Sequence, residues 1–302
     1  MSGQLGAVLA LTLAILTYYY CQHESNMLSI TSKVKLNNGN TIPQFGLGVY
    51  QAKPGEVAEN AVLIALKTGY RFIDTAAGYR NEKDVGEALK KSGIPREEVF
   101  ISTKVNNCDQ GYKKTLAAFN NSMEQLGLDY LDLYLLHSPN PGPRKRKESW
   151  LALEELVKKG LIRNIGVSNY GKHHLDELLE YCTIKPVVNQ IEIHPWLTRV
   201  ELVEYCRKLN IAVEAYSPLA KGKKLDDERL LNLARKYSKE PAQILLRWSL
   251  QHGYIVFPKS DREERIKTNA DIFNFELDND DMKVLDDCDE YFTTGWDPTK
   301  NP

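Results

Sequence analysis

The sequence is poor in cysteine and has almost no net charge, and both deficits exclude classes of function. Its five cysteines are scattered, with no C-x-x-C pair and no spacing to histidine that suits a metal site. We therefore expect reduced thiols in a cytoplasmic setting and no bound metal. The 39 basic and 40 acidic side chains leave a formal net charge of -1. Without a basic surplus, no nucleic-acid partner is expected.

Long apolar runs are absent except at the N-terminus. Residues 2–22 carry no charged side chain, and the apolar stretch 3–22 within them is long enough to cross a bilayer core of roughly 30 Å. One interpretation of residues 1–26 is a transmembrane anchor that leaves the catalytic domain in the cytoplasm. The alternatives are an upstream extension before Met27, where an enzyme could begin, and a cleaved signal peptide.

The remaining sequence, residues 27–302, has no low-complexity stretch or Gly/Ser linker, so we expect it to form one domain. Eight short apolar, strand-like runs alternate there with amphipathic segments of helical period. The runs span residues 45–50, 71–76, 99–105, 131–137, 162–169, 186–193, 212–218 and 254–260. This pattern predicts an α/β domain, a single closed (β/α)8 barrel. The turn sequence at residues 37–40 predicts a β-hairpin in front of it.

Polar side chains at or just beyond the ends of three successive runs form the candidate site. Asp74 lies near the end of one run and Tyr79 follows that run, Lys104 lies near the end of the next, and His137 ends the third. Parallel strands in α/β enzymes gather their carboxyl ends at one face, where the chemistry takes place. The sequence therefore predicts that these four side chains meet in one catalytic mouth.

A series of short motifs gives the chain a family resemblance. In chain order they are Gly46–Tyr50, Gly69–Ala76, Asn81–Glu82, Ser102–Val105, His137–Pro141, Ile165–Asn169, Asn189–Gln190 with His194–Pro195, Tyr216–Leu219 and Pro258–Ser260. Together, from about Lys33 to about Asp287, they resemble the aldo-keto reductases. The resemblance implies a TIM barrel and an NADP-dependent oxidoreductase that converts small aldehydes and ketones reversibly to alcohols. We expect a monomer.

The resemblance also implies a role for each of the four clustered residues. Tyr79 would be the general acid, and the Lys104 ammonium would favour the phenolate and lower the pKa of the phenol. Asp74 would hold Lys104 in place. His137 would donate a hydrogen bond to the substrate oxygen and orient the carbonyl.

The cofactor residues implied by the resemblance are distributed along the chain. Ser168, Asn169 and Gln190 would bind the nicotinamide carboxamide, Tyr216 would stack on the ring, and residues 217–219 would lie along the pyrophosphate. The 2'-phosphate would bind Lys259, Ser260 and Arg265, which favours NADPH over NADH although Asp261 opposes it. The complete predicted set is Gly48, Val49, Tyr50, Asp74, Ser168, Asn169, Gln190, Tyr216, Ser217, Pro218, Leu219, Lys259, Ser260, Arg265 and Asn269.

Substrate preference rests on fewer signals. Ser138 follows His137 where many aldo-keto reductases carry tryptophan, which predicts a wider or less apolar site. The C-terminal stretch 291–302 is expected to lie over the barrel mouth. An alternative function is an NADPH-binding regulatory or scaffold subunit of a membrane protein. Catalysis is favoured because a scaffold would not need Asp74, Tyr79, Lys104 and His137 together.

Overall fold

The computed structural model describes residues 28–302, so the apolar stretch 3–22 lies outside the described residues. Within residues 28–302 no helix is both long and apolar enough to cross a bilayer. The expectation of a transmembrane protein is therefore wrong for the part of the chain that the structure describes. The division into segments 1–26 and 27–302 stays a prediction.

Eight parallel strands form the centre of the described chain. They are β3 Leu47–Gly48, β4 Phe72–Asp74, β5 Phe100–Val105, β6 Leu131–Leu136, β7 Ile162–Ser168, β8 Val188–Glu192, β9 Ala212–Tyr216 and β10 Ile255–Val256. Each strand pairs with its neighbours in chain order, and parallel bridges from Phe45 to Val256 and from Gly48 to Lys259 join the two edges. Every strand lies inside one predicted run, so the (β/α)8 barrel is confirmed.

Helices connect the strands and cover the outside of the barrel. They are α1 Glu56–Thr68, α2 Glu82–Ser92, α3 Tyr112–Leu126, α4 Pro143–Lys158, α5 Lys172–Tyr181, α6 Val200–Lys208, α7 Glu228–Tyr237, α8 Pro241–Gln251, α9 Glu263–Ala270 and α10 Asn279–Asp286. Helix α1 shows the packing, since its buried side chains are alanines, Val62 and Leu66. It ends at Thr68 and is followed by Gly69, whose φ of 109° is a left-handed conformation that glycine adopts without strain.

The predicted hairpin closes one end of the barrel. Its strands are β1 Lys33–Lys35 and β2 Thr41–Pro43. Leu36 and Ile42 are buried in one apolar cluster with the inward-facing aromatic side chains of the barrel. Within that cluster the centre of the Phe72 ring lies 5.2 Å from the centre of the Phe100 ring and 5.7 Å from that of the Phe257 ring, and both contacts are edge to face. Among residues 28–302, apolar side chains fill this end, so a ligand site is expected at the opposite end of the barrel.

Candidate active site

A cleft of about 1010 Å³ opens at the carboxyl ends of the strands. Most of the predicted site residues line it: Gly48, Tyr50, Asp74, Tyr79, His137, Ser168, Asn169, Gln190, Tyr216, Ser217, Pro218, Leu219, Lys259, Ser260 and Arg265. Three predicted residues, Val49, Lys104 and Asn269, are buried and do not line it. The structure therefore brings the predicted set to one face, with these three behind the surface.

Asp74 and Lys104 form a buried ion pair at the floor of the cleft. Strands β4 and β5 pair in a register that sets Asp74 opposite Ser102, and both Ser102 and Lys104 reach the carboxylate inside the barrel. The Lys104 Nζ lies 2.8 Å from each Asp74 carboxylate oxygen and 2.8 Å from the Thr75 carbonyl oxygen. The ammonium thus has three acceptors, which is the full capacity of its hydrogens. Such an arrangement is rigid, and each charge is compensated within the pair.

Tyr79 lies beside this ion pair at the end of the short 3-10 turn Ala77–Tyr79. The centre of its ring is 5.1 Å from the Lys104 Nζ, 5.8 Å from the centre of the His137 ring and 5.0 Å from that of Tyr50. Since Asp74 holds Lys104, the four side chains that the sequence placed at strand ends occupy one continuous cluster.

The expected lowering of the Tyr79 pKa is wrong in this structure. Burial raises the pKa of the phenol well above its ordinary value, and the negative charge of Asp74 raises it further. The Lys104 ammonium does not offset these effects, because its charge is compensated by Asp74 and its hydrogens point to other acceptors. Tyr79 is therefore a protonated phenol at neutral pH and can act as a proton donor.

His137 is neutral at physiological pH. Burial lowers the pKa of its imidazole to about 3, and the positive charge of Lys104 contributes in the same direction. The backbone holds the residue in place, because its N–H donates to the Val105 carbonyl at 3.2 Å and its carbonyl accepts from the Asn169 amide at 3.0 Å. A neutral imidazole carries one N–H, so His137 can donate a hydrogen bond into the cleft.

The amide and hydroxyl groups predicted for the nicotinamide end are largely bonded to one another. The Asn169 Nδ2 donates to the His137 carbonyl and to the Ser168 Oγ, each at 3.0 Å, so both of its hydrogens are engaged. The Tyr216 hydroxyl donates to the Asn169 Oδ1 at 2.8 Å, and the Ser168 Oγ donates to the Gln190 carbonyl at 3.0 Å. These bonds fix this wall of the cleft and engage both amide hydrogens of Asn169.

The opposite end of the cleft is basic and exposed. Lys259 and Arg265 are exposed cations, and the Ser260 hydroxyl lies between them in the sequence and is buried. The Lys259 Nζ is 3.1 Å from the Asp261 carboxylate, so the acidic residue that weakened the sequence prediction does contact the site. The cations and the hydroxyl suit a phosphate, and the volume of the cleft admits a large ligand, so the residues present fit a phosphorylated dinucleotide.

Sequence reasoning missed two buried carboxyl groups of the barrel. Glu192 lines the cleft and accepts from the Thr294 N–H at 3.0 Å, while Glu214 lies behind Gln190. For Glu214 the signal was available, because it is a single acidic residue inside the otherwise apolar strand β9. Thr294 and Trp296 also line the cleft, as expected for a C-terminal stretch over the barrel mouth.

Ser138, expected to widen the site, does not line the cleft. It is fully buried, and its Oγ donates to the Asn107 Oδ1 at 2.8 Å. Asn107 and the neighbouring Cys108 line the cleft instead. The small residue after His137 therefore acts on the cleft through the position of Asn107.

Comparison with known proteins gives a consistent result. The model of the Aldo/keto reductase family matches residues 44–290. The chain is 55% identical over 258 residues to the glyoxal reductase of Bacillus subtilis (strain 168), covering 85% of this chain and 93% of that protein. A crystal structure of an aldo-keto reductase from a Medee basin deep-sea metagenome library is 44% identical, with a TM-score of 0.86, covering 89% of this chain and 99% of that one. The Bombyx mori aldo-keto reductase in complex with NADP is 35% identical, with a TM-score of 0.82, covering 88% of this chain and 95% of that one.

Proposed function

This chain belongs to the aldo/keto reductase family, and we propose that it reduces the carbonyl group of small aldehydes and ketones with NADPH. The observation that carries the proposal is the meeting of Tyr79, His137 and the Asp74–Lys104 ion pair at the floor of one cleft. Glyoxal is the first substrate to test, because a relative that is 55% identical is named a glyoxal reductase.

In the proposed arrangement the chain binds the cofactor at both ends of the cleft. Lys259, Ser260 and Arg265 hold the 2'-phosphate. The side-chain oxygen of Gln190, Oε1, accepts a hydrogen bond from the nicotinamide carboxamide. The remaining contacts on the cleft surface come from Gly48, Tyr50, Asp74, Ser168, Asn169, Tyr216, Ser217, Pro218 and Leu219, whereas the predicted residues Val49 and Asn269 are buried and do not line the cleft. When bound, the reduced nicotinamide supplies the hydride.

The proposed chemistry of the chain is proton donation and orientation. Tyr79, which is protonated at neutral pH, donates its proton to the carbonyl oxygen as negative charge develops there. Neutral His137 donates a second hydrogen bond to the same oxygen and fixes the direction of the carbonyl. The ion pair of Asp74 and Lys104 supports Tyr79 from below and is itself unchanged by the reaction.

The mouth of the cleft supports a small, polar substrate. Asn106, Asn107 and Cys108 line one part of it, and Tyr50 and Trp296 line others. Polar groups near the reacting centre can bond the second oxygen of a dicarbonyl, whereas a long apolar chain would leave them without partners.

A carbonyl panel tests the proposal directly. NADPH consumption is followed with glyoxal, simple aldehydes and ketones, and every assay is repeated with NADH. We expect turnover with NADPH, and Tyr79→Phe should lower kcat by about 10²- to 10⁴-fold, the usual contribution of a general acid. The affinity for NADPH, measured by fluorescence quenching, should stay within about threefold because no charge at the phosphate end changes.

The matched control is Tyr112→Phe, which removes a phenol that is exposed on α3 and bonded to Glu155. Its kcat should equal that of the unmodified protein. Absence of turnover on every carbonyl, or full activity of the Tyr79→Phe variant, would contradict the proposed function.

A further inference from the structure

Glu214 is a buried acid to which the proposed reaction gives no role. It lies in the middle of β9, between apolar neighbours, and it is completely inaccessible to solvent. Its Oε2 accepts a hydrogen bond of 2.8 Å from the Gln190 Nε2, whereas its Oε1 has no partner among residues 28–302. A buried carboxyl group with a single bond to the protein is costly, so its retention inside the barrel requires a reason.

The bond to Glu214 completes a set of two acceptors around one amide. The Gln190 Nε2 carries two hydrogens, and it donates one to the Asp74 Oδ1 at 3.1 Å and the other to Glu214. Asp74 is the partner of Lys104 and acts as an acceptor, so the nitrogen end of the amide must face it. The bond to Asp74 therefore determines that the Nε2 end of the Gln190 amide, and not its Oε1 end, faces the ion pair. The bond to Glu214 fixes the rotation of the amide about the Cγ–Cδ bond.

Because both hydrogens on its Nε2 are engaged, the Gln190 side chain can offer the cleft only its Oε1, which is an acceptor. Gln190 lines the cleft, and its Oε1 is not among the buried atoms that lack a partner in the described residues. A ligand at this point must bring an N–H donor. A ligand that brings only acceptors would leave two oxygens facing each other, which is unfavourable.

We propose that Glu214 is a positioning residue that, together with Asp74, makes Gln190 an obligate acceptor and so selects a cofactor whose ring carries an amide N–H. This role rests on the proposed function, because it takes the nicotinamide end of NADPH as the ligand at Gln190. Glu214 performs it as a neutral acid, since burial and the neighbouring Asp74 charge raise the pKa of its carboxyl to about 8.

The test uses a cofactor analogue that lacks the donor. NADP+ and its 3-acetylpyridine analogue, in which a methyl ketone replaces the carboxamide, are titrated against the full-length protein by fluorescence quenching. We expect the unmodified protein to bind NADP+ about tenfold more tightly than the analogue, an amount typical of one lost hydrogen bond with a mismatched acceptor. Glu214→Leu should reduce this ratio at least about threefold, because the amide becomes free to rotate.

Two variants separate positioning from general damage. Glu214→Gln retains an acceptor for the Gln190 amide and should retain the unmodified ratio. Glu154→Gln alters a carboxyl group that is equally buried but lies outside the cleft, where it accepts from Thr183 and Ile184, and it should also retain the ratio. Glu214→Ala shortens the side chain without adding bulk and tests the same bond if the leucine variant does not fold.

The outcomes distinguish this role from the proposed function. An unmodified ratio in the Glu214→Leu or Glu214→Ala variant, with carbonyl turnover intact, would overturn the role of Glu214 and leave the reductase proposal standing. Failure of the unmodified protein to bind either dinucleotide would overturn both. A reduced ratio in the leucine variant that the glutamine variant restores would support the assignment.

Discussion

The two ends of the cleft are built differently. At the reaction end, Asp74, Lys104 and Glu214 are buried, and their bonds run from strand to strand inside the barrel. At the phosphate end, Lys259 is exposed on the segment that leads into α9 and Arg265 is exposed on α9 itself. Lys259 is paired with the carboxylate of Asp261, only two residues away.

This difference indicates that the reaction end requires fixed positions, whereas the phosphate end requires mainly charge. Proton transfer depends on distances that must hold within a fraction of an ångström, so its groups belong on rigid strands with satisfied hydrogen bonds. Attraction of a phosphate depends mainly on charge and tolerates moving side chains. Substitutions at the first end should therefore change stability and rate together, and substitutions at the second end should change cofactor affinity alone.

Removal of the Lys104 ammonium should give the largest effect. Lys104→Met leaves the Asp74 carboxylate buried without its cation, which should lower the free energy of unfolding by about 3–5 kcal/mol. Urea denaturation measures this loss, and kcat should fall in the same variant. Asp74→Asn combined with Lys104→Met should recover most of the stability but not the activity. An unchanged unfolding midpoint in the single variant would show that the two ends do not differ in this way.

Glu214 should make the stability of the reaction end depend on pH. Its carboxyl pKa is raised to about 8 in the folded protein from 4.5, so between these values the folded state holds a proton that the unfolded state has lost. Stability therefore falls as pH rises through this window. Since one pKa unit is worth about 1.4 kcal/mol, the loss across the whole window should be on the order of 5 kcal/mol. Glu214→Gln should remove this loss. Equal slopes of the unfolding free energy against pH in the unmodified protein and in the Glu214→Gln variant would contradict this prediction.

Removal of a cation at the phosphate end should leave stability and kcat untouched. Arg265→Ala should weaken NADPH binding by about 10- to 100-fold, the usual worth of a hydrogen bond to a charged group, with NADH binding unchanged. Lys267→Ala is the matched control, because this cation is on the same helix and pairs with Glu263 instead. Binding titrations with both cofactors decide the matter, and an equal loss for NADPH and NADH would argue against a 2'-phosphate contact.

Neutralisation of Asp261 should give the smallest effect, with the opposite sign. Asp261→Asn removes the carboxylate that pairs with the Lys259 ammonium at 3.1 Å. NADPH should then bind about two- to fivefold more tightly, in line with the small energies of exposed ion pairs. Because salt screens exposed charges, the gain should shrink at high ionic strength. Weaker binding would mean that Asp261 orients Lys259 rather than competing with the phosphate.

Much of the barrel was predictable because its strands are apolar runs bounded by turns. Residues 100–105 and 131–136 are buried along their whole length, and both segments are rich in apolar side chains, as is typical of parallel strands that are covered on both faces. The clustering of Asp74, Lys104 and His137 followed from strand ends alone. The individual function of each residue stays a prediction, because it depends on a bound substrate.

The electrostatics of the cluster were not predictable in the same way. Lys104 was expected to make Tyr79 more acidic, but the sign of the pKa shift depends on how deeply the phenol is buried and on which acceptors the ammonium has. Neither the burial of the phenol nor the set of acceptors around the ammonium can be read from the residue types alone. The role of Asn107 beside buried Ser138 was hidden for the same reason, since it depends on a contact across 31 residues of chain.

By itself, the sequence determined the order of strands and helices, the hairpin that precedes them and the family, because each of these depends on local periodicity and on motifs within a few residues. Only the tertiary structure decided which charges cancel, which hydrogens of Gln190 are engaged and which carboxyl group keeps its proton. Those properties arise from distances of about 3 Å between residues far apart in the chain, and such distances exist only once the barrel has closed.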